Sequence, residues 1–175
     1  MLNRVLVPLF LYGDGRVRIS IITVGKLKEK YLKDGVQEYL KRLQPYAKVE
    51  IIEVSDEPHS EGLSEHAAEQ VKQKEADRIE KYIRNETFLV ALDLNGNMYS
   101  SEELAGYFNN LMLRGNSDIT MIIGGSLGIS KKLLKRCQLK LSFSKMTFPH
   151  QLMRLILVEQ IYRAFKIIKN EPYHK

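Results

Sequence analysis

From residue 18 onward, short apolar runs of strand character alternate with longer stretches whose apolar residues recur every three or four positions. Arg18-Ile-Ser-Ile-Ile-Thr-Val24 is a β-rich run closed by Gly25. Between Lys28 and Leu43, the residues Leu32, Val36, Tyr39, Leu40 and Leu43 fall on one helical face, and Pro45 stops the helix. Val49 to Val54 predicts a second strand, followed by a polar loop from Ser55 to Leu63 that holds Pro58 and Gly62. Ser64 to Ile83 reads as a long charged helix with Val71, Ile79, Tyr82 and Ile83 as its inner stripe. Thr87 to Leu92 is almost continuously apolar, the pattern of a strand covered on both faces.

The second half repeats the alternation. Asn95-Gly96 predicts a tight turn, and Ser100 with Glu103 offers a capping box for a helix carrying Leu104, Tyr107, Phe108 and Leu111. Ile119 to Ile123 is a fourth strand that runs into Gly124-Gly125-Ser126-Leu127-Gly128. Ser130 caps a short helix through Cys137, and Gln138 to Phe143 is a fifth strand. Pro149 presets the first turn of a long helix whose apolar residues run from Leu152 to Ile168. Strands alternating with helices at short intervals predict a single α/β domain with a mostly parallel sheet flanked by helices.

Residues 1–16 differ from the rest. Their apolar run, Val5 to Tyr12, is too short to span a bilayer and contains Pro8. One arginine precedes it and no small-x-small cleavage pattern follows, so the stretch reads as a poorly ordered extension rather than a signal peptide. The domain is expected to occupy residues 17–175.

Composition narrows the function classes. A hydrophobic content of 44% with 27% charged residues fits a globular protein, and one cysteine, Cys137, excludes an internal disulfide and fits a reducing cytoplasm. The histidines at 59, 66, 150 and 174 are scattered, with no cysteine pair beside them, so no metal site is expected. The net charge is +6, yet Lys131 to the end alone carries eleven Lys/Arg against Glu159 and Glu171. That asymmetry suits a polyanionic partner, nucleic acid first, or a basic solvated helix face.

Candidate chemistry gathers at three strand ends, near Leu92, Gly124 and Phe143. Gly124-Gly125-x-x-Gly128 lacks the full dinucleotide fingerprint, and no acidic residue ends the next strand to hold a ribose, which argues against a nicotinamide site. Gly125-Ser126-Leu127-Gly128 also misses the spacing of a serine nucleophile elbow, and packing is the natural role of a lone cysteine. A pocket walled by Leu92, Leu94, Gly124, Leu127, Met146 and Phe148, with backbone groups of the Ser144–Phe148 loop, suits an adenine-containing ligand. The last helix is amphipathic with a broad apolar band, the breadth of a core face that also meets another subunit.

These residues together resemble a known family. Gly25-Lys26, Leu92-Asp93 with Gly96, Ile123-Gly124-Gly125, Phe143-Ser-Lys-Met-Thr-Phe-Pro-His150 and the ending Pro172-Tyr-His-Lys175 look like the ribosomal RNA large-subunit methyltransferase H family. Members are SPOUT-class enzymes that methylate N3 of a pseudouridine in the 23S rRNA of the assembled ribosome. The likeness covers about Arg18 to Lys175; residues 1–16 depart from it, because members ordinarily start at the first strand. It implies a trefoil-knotted fold, a homodimer, and S-adenosyl-L-methionine bound by Leu92, Gly124, Phe143, Ser144, Lys145, Met146, Thr147 and Phe148. A noncatalytic basic ribosome-binding factor with the same fold is the alternative.

For the chemistry so implied, the N3 imide nitrogen is a poor nucleophile until its proton leaves or its flanking carbonyls are polarised. Arg154 is the candidate to stabilise negative charge on those oxygens. His150 or His174 is the candidate proton acceptor. Tyr173 is the candidate to stack on or orient the base, with basic residues from Lys131 onward holding phosphates.

Overall fold

The structure is a computed structural model that describes residues 17–173; the 1–16 extension and the candidate His174 lie outside the described residues. Ten elements follow in strict alternation: β1 (Val17–Val24), α1 (Lys30–Leu43), β2 (Ala47–Val54), α2 (Glu65–Glu80), β3 (Phe88–Met98), α3 (Ser101–Leu113), β4 (Asp118–Ile123), α4 (Lys131–Arg136), β5 (Leu139–Ser142) and α5 (His150–Ile168). The strands form one sheet in the order β2-β1-β4-β3-β5, and each neighbouring pair is parallel.

Side chains alternate across a strand, so each central strand feeds two cores. Ile19 and Ile21 of β1, Val90 of β3, and Ile119, Met121 and Ile123 of β4 pack with α1, α3 and α5. Ile22, Leu89, Ala91 and Ile122 point the other way, onto Ala76 and Ile79 of α2 and Leu133 of α4. A sheet covered on both faces explains why Phe88–Leu92 of β3 and Ile119–Ile123 of β4 are apolar apart from Thr120. On α5, Leu157, Val158 and Ile161 are fully buried, each worth about 1.5–3 kcal/mol of apolar burial. The capping box of α3 forms in both directions, Ser100 Oγ accepting from Glu103 N and a Glu103 carboxylate oxygen from Ser100 N.

Two expectations need correction. The Asn95-Gly96 turn does not end the third strand: β3 resumes beyond it, and Asn97 and Met98 pair with Leu141 and Ser142 of β5 after a register shift. Gly96 is there because the backbone of β5 passes close by; a Cβ would stand 2.6 Å from the Lys140 carbonyl. The local turn signal is absorbed as an irregularity in a longer strand. On α2, the inner face holds Glu75, Ala76 and Ile79, while Tyr82 lies past the end of the helix and is exposed.

A candidate cofactor pocket at the strand ends

Leu92 stands opposite Ile123 on one side and Leu141 on the other, so the first stretch of β3, before its register shift, comes level with the ends of β4 and β5. Beyond their carboxyl ends, where open α/β sheets place ligands, lies a cavity of about 330 Å³. All six walls expected from the sequence line it: Leu92, Leu94, Gly124, Leu127, Met146 and Phe148. Of the residues the resemblance assigns to the methyl donor, Leu92, Gly124, Phe143, Ser144, Met146, Thr147 and Phe148 line the cavity. Lys145 does not, and points to solvent.

Backbone geometry shapes the floor. Gly128 N donates to Gly125 O at 3.0 Å, and Gly128 has φ +90, a conformation that glycine adopts without strain. A Cβ on Gly124 would stand 2.7 Å from the Gly128 carbonyl, so a side chain at 124 would collide with the loop itself. On the opposite wall, Ser142 Oγ donates to Ser144 O, and Ser144 Oγ accepts from Met146 N at 2.9 Å. These bonds set the path of the Phe143–Phe148 loop. Met146, at its tip, is 70% exposed.

The three described catalytic candidates, His150, Arg154 and Tyr173, separate. His150, the first residue of α5, lines the cavity, and burial together with the nearby Arg154 cation holds its pKa below the usual 6.5. Arg154, one turn further on, is 1% exposed and does not line the cavity. Its guanidinium donates to Glu53 Oε1 at 2.6 Å, to Gly25 O at 2.6 Å and to Val24 O at 3.1 Å. Leu27 N donates to the same Glu53 oxygen, so this buried cation and half-exposed carboxylate together pin the turn after β1. The Nη1 and Nη2 groups expected to face a reacting base are thus engaged within the protein, while the buried Nε has no hydrogen-bond partner among the described residues.

Tyr173 lies near the other end of α5. Its hydroxyl donates to Glu159 Oε1 at 3.0 Å and lies 3.1 Å from Tyr39 Oη, its ring meets Tyr162 edge-on, and Arg163 stacks over it at 4.8 Å. Tyr162 is twelve residues along the helix from His150, about 18 Å of rise. Within one chain Tyr173 and His150 are therefore not brought together.

Three further points bear on the site. Basic residues after Lys131 are partly committed: Lys131 pairs with Glu65, Arg136 with Glu80 and Lys166 with Glu171. Burial pushes the Cys137 thiol up to about 11, and Sγ donates to Leu133 O, a packed group rather than a nucleophile. One residue the sequence reading passed over is Glu75, a buried carboxyl behind Gly125; the available signal was an acid at helical spacing from Ile79.

Among the described residues no helix is long and apolar enough to cross a membrane, and no group of three metal-binding side chains occurs. A parallel α/β sheet with a glycine-floored pocket at its strand ends is a frame in which open α/β sheets bind ligands. The chain belongs to the SPOUT methyltransferase family, whose model, described as "Predicted SPOUT methyltransferase", matches residues 17–174. Within that class it is similar to curated proteins named Ribosomal RNA large subunit methyltransferase H, as the motif resemblance implied. It is 60% identical to the one from Desulforamulus reducens over 159 residues, 91% of this chain and 99% of the relative. It is 57% identical to that of Carboxydothermus hydrogenoformans, over 91% of this chain and all of the relative. A solved probable methylase family protein from Haemophilus influenzae Rd KW20 is more distant. It is 11% identical with a TM-score of 0.45, over 87% of this chain and 66% of that one, too loose a likeness to bear on function.

Proposed function

We propose that this protein transfers a methyl group from S-adenosyl-L-methionine to N3 of a pseudouridine in 23S rRNA of the assembled ribosome, working as a cytoplasmic homodimer. The observation that carries the reading is the cavity beyond Leu92 of β3 and the ends of β4 and β5, in a chain 60% identical to a protein named Ribosomal RNA large subunit methyltransferase H. The residues fit the cofactor: Leu92, Leu127 and Phe148 offer apolar walls to an adenine, and Gly124 lets the Gly128 carbonyl pack where a Cβ would stand, which holds the floor of the cavity in shape. When bound, S-adenosylmethionine supplies a methyl group already activated on a sulfonium.

What remains for the protein is alignment and the N3 proton. His150 accepts that proton at its imidazole; its lowered pKa keeps the ring neutral, and so able to accept, at pH 7. Arg154 acts as a positioning residue, holding the carbonyls of Val24 and Gly25 against the first turns of α5. Gln151 supports the same junction, its side-chain oxygen accepting from Lys28 N at 2.7 Å.

The tail, with Tyr173 and His174, serves the pocket of the partner subunit. The docking of Tyr173 far along α5 from the cavity of its own chain supports this, as does the half-buried apolar band of Leu152, Leu155 and Ile156. The trefoil knot belongs to the same proposal; β5 pairs on the far side of β3 from β4, so the chain crosses β3 before α5 returns over α1 and α3.

Calorimetric titration tests the cofactor reading. The wild-type protein is expected to bind S-adenosylmethionine and not NAD, and Gly124→Ala to lose binding while remaining folded. A folded wild-type protein with no heat of binding, or Gly124→Ala binding equally well, overturns it.

A further inference from the structure

Glu75 is 4% exposed on the inner face of α2, among Ala76, Ile79 and the apolar side chains of the second core. A carboxyl at such a position is costly unless its neighbours give it a purpose. One of its oxygens accepts from Glu57 N at 3.0 Å. That bond ties the chain leaving β2 to α2. The same carboxyl lies against the floor of the cavity. The three atoms nearest to a Cβ built on Gly125 are Glu75 Oε2 at 2.7 Å, Oε1 at 2.9 Å and Cδ at 3.1 Å. Gly125 is thus a glycine because this carboxyl stands behind it.

The surroundings keep Glu75 from being a simple ion-pair member. Arg78, the nearest cation on its helix, is engaged by the Glu57 carboxylate and by Ser55 O. Lys74 is likewise paired with Glu57. Asp56 and His59 face it from the loop after β2, and no described cation contacts its oxygens. Burial pushes its pKa up, consistent with a carboxyl held by packing and one N–H rather than by a salt bridge. From the other side His59 Nε2 lies 2.8 Å from Ser126 Oγ, so the residue after Gly125 is also tied to the loop after β2.

We infer that Glu75 is a positioning residue for the cofactor pocket: its carboxyl supports Gly125 from behind and couples the loop after β2 to the Gly124–Gly128 floor. This rests on the cavity being the methyl-donor site. The coupling is reciprocal. A methyl at 125 pushes the floor into the cavity only while the carboxyl is there to resist it, and removing the carboxyl lets the floor sink.

A double-mutant cycle on S-adenosylmethionine affinity, read by calorimetry, tests it. Gly125→Ala and Glu75→Ala are each expected to weaken binding about tenfold or more. Gly125→Ala introduced into Glu75→Ala is expected to cost nothing further, because the added methyl occupies the vacated space. Glu75→Gln keeps the shape and the acceptor for Glu57 N, and is expected to bind within about threefold of wild type. Circular dichroism establishes that each variant is folded, and where Glu75→Ala is not, Glu75→Asp takes its place in the cycle, expected to weaken binding with the fold intact. Additive losses in the cycle, or Glu75→Gln as weak as Glu75→Ala, overturn the inference. A wild-type protein that binds no S-adenosylmethionine overturns the cofactor reading instead.

Discussion

Arg154 offers a sharp test of how α5 is held to the sheet. Its side chain is almost wholly buried, and it donates to one carboxylate oxygen and two main-chain carbonyls. Arg154→Ala removes all three bonds at once. Glu53 is 37% exposed at its side chain and can rehydrate, but the Val24 and Gly25 carbonyls lose their donor and a void is left in the core. Breaking a buried pair costs about 3–5 kcal/mol, and partial rehydration of Glu53 puts the expected loss near the lower end, about 3 kcal/mol. For a domain of this size that corresponds to a fall of roughly 6–12 °C in Tm. Glu53→Gln keeps an acceptor but leaves the buried guanidinium without its counter-charge, and should cost about 1–3 kcal/mol, no more than Arg154→Ala. Urea unfolding followed by far-UV circular dichroism reads both, provided the slope with denaturant is unchanged. A loss below about 1 kcal/mol for Arg154→Ala would refute the account of Arg154 as the clamp between α5 and the end of β1.

Other consequences follow from the same structure. Gly96→Ala drives a methyl into the Lys140–Leu141 backbone and should cost about 2 kcal/mol in urea unfolding, with weaker S-adenosylmethionine binding; a neutral effect would deny the close approach of β3 and β5. Because the folded pKa of His150 lies below 6.5, the unfolded chain binds the proton more readily. The contribution of His150 to stability is therefore complete above pH 6.5 and is lost as the pH falls through its folded pKa; His150→Gln should flatten that part of the stability profile and remove the acid limb of the methyl-transfer rate. Cys137, with its thiol raised to about 11, should resist iodoacetamide at pH 8 in the folded protein and react after urea unfolding; rapid labelling of the native state would contradict its packed environment.

The pocket was legible in the sequence because its parts are local. Leu92, Gly124 and Phe143 each end an apolar run, and parallel strands bring such ends to one edge. The β3–β5 pairing was not legible: Asn95-Gly96 is a strong turn signal, and only the long-range pairing of Asn97 and Met98 with Leu141 and Ser142 overrides it. Glu75 was missed because a helical stripe is sought among apolar residues, and Tyr82 answered that search although the helix ends at Glu80. Arg154 looked like a group facing substrate because its neighbours in sequence line the cavity. Its partners, 101 to 130 residues away, are visible only in the fold. The same holds for Tyr173, whose place beside Tyr39 and Glu159 depends on how the tail turns back on α5 and α1.

The central claim is methyl transfer to ribosomal RNA. Wild-type protein is incubated with labelled S-adenosylmethionine and ribosomes from a strain lacking the modification, and the digested 23S rRNA is resolved by nucleoside mass spectrometry. The account predicts label in N3-methylpseudouridine alone, approaching one methyl group per ribosome. Folded protein that binds S-adenosylmethionine yet leaves the 23S rRNA unlabelled, or labels another nucleoside, would contradict it.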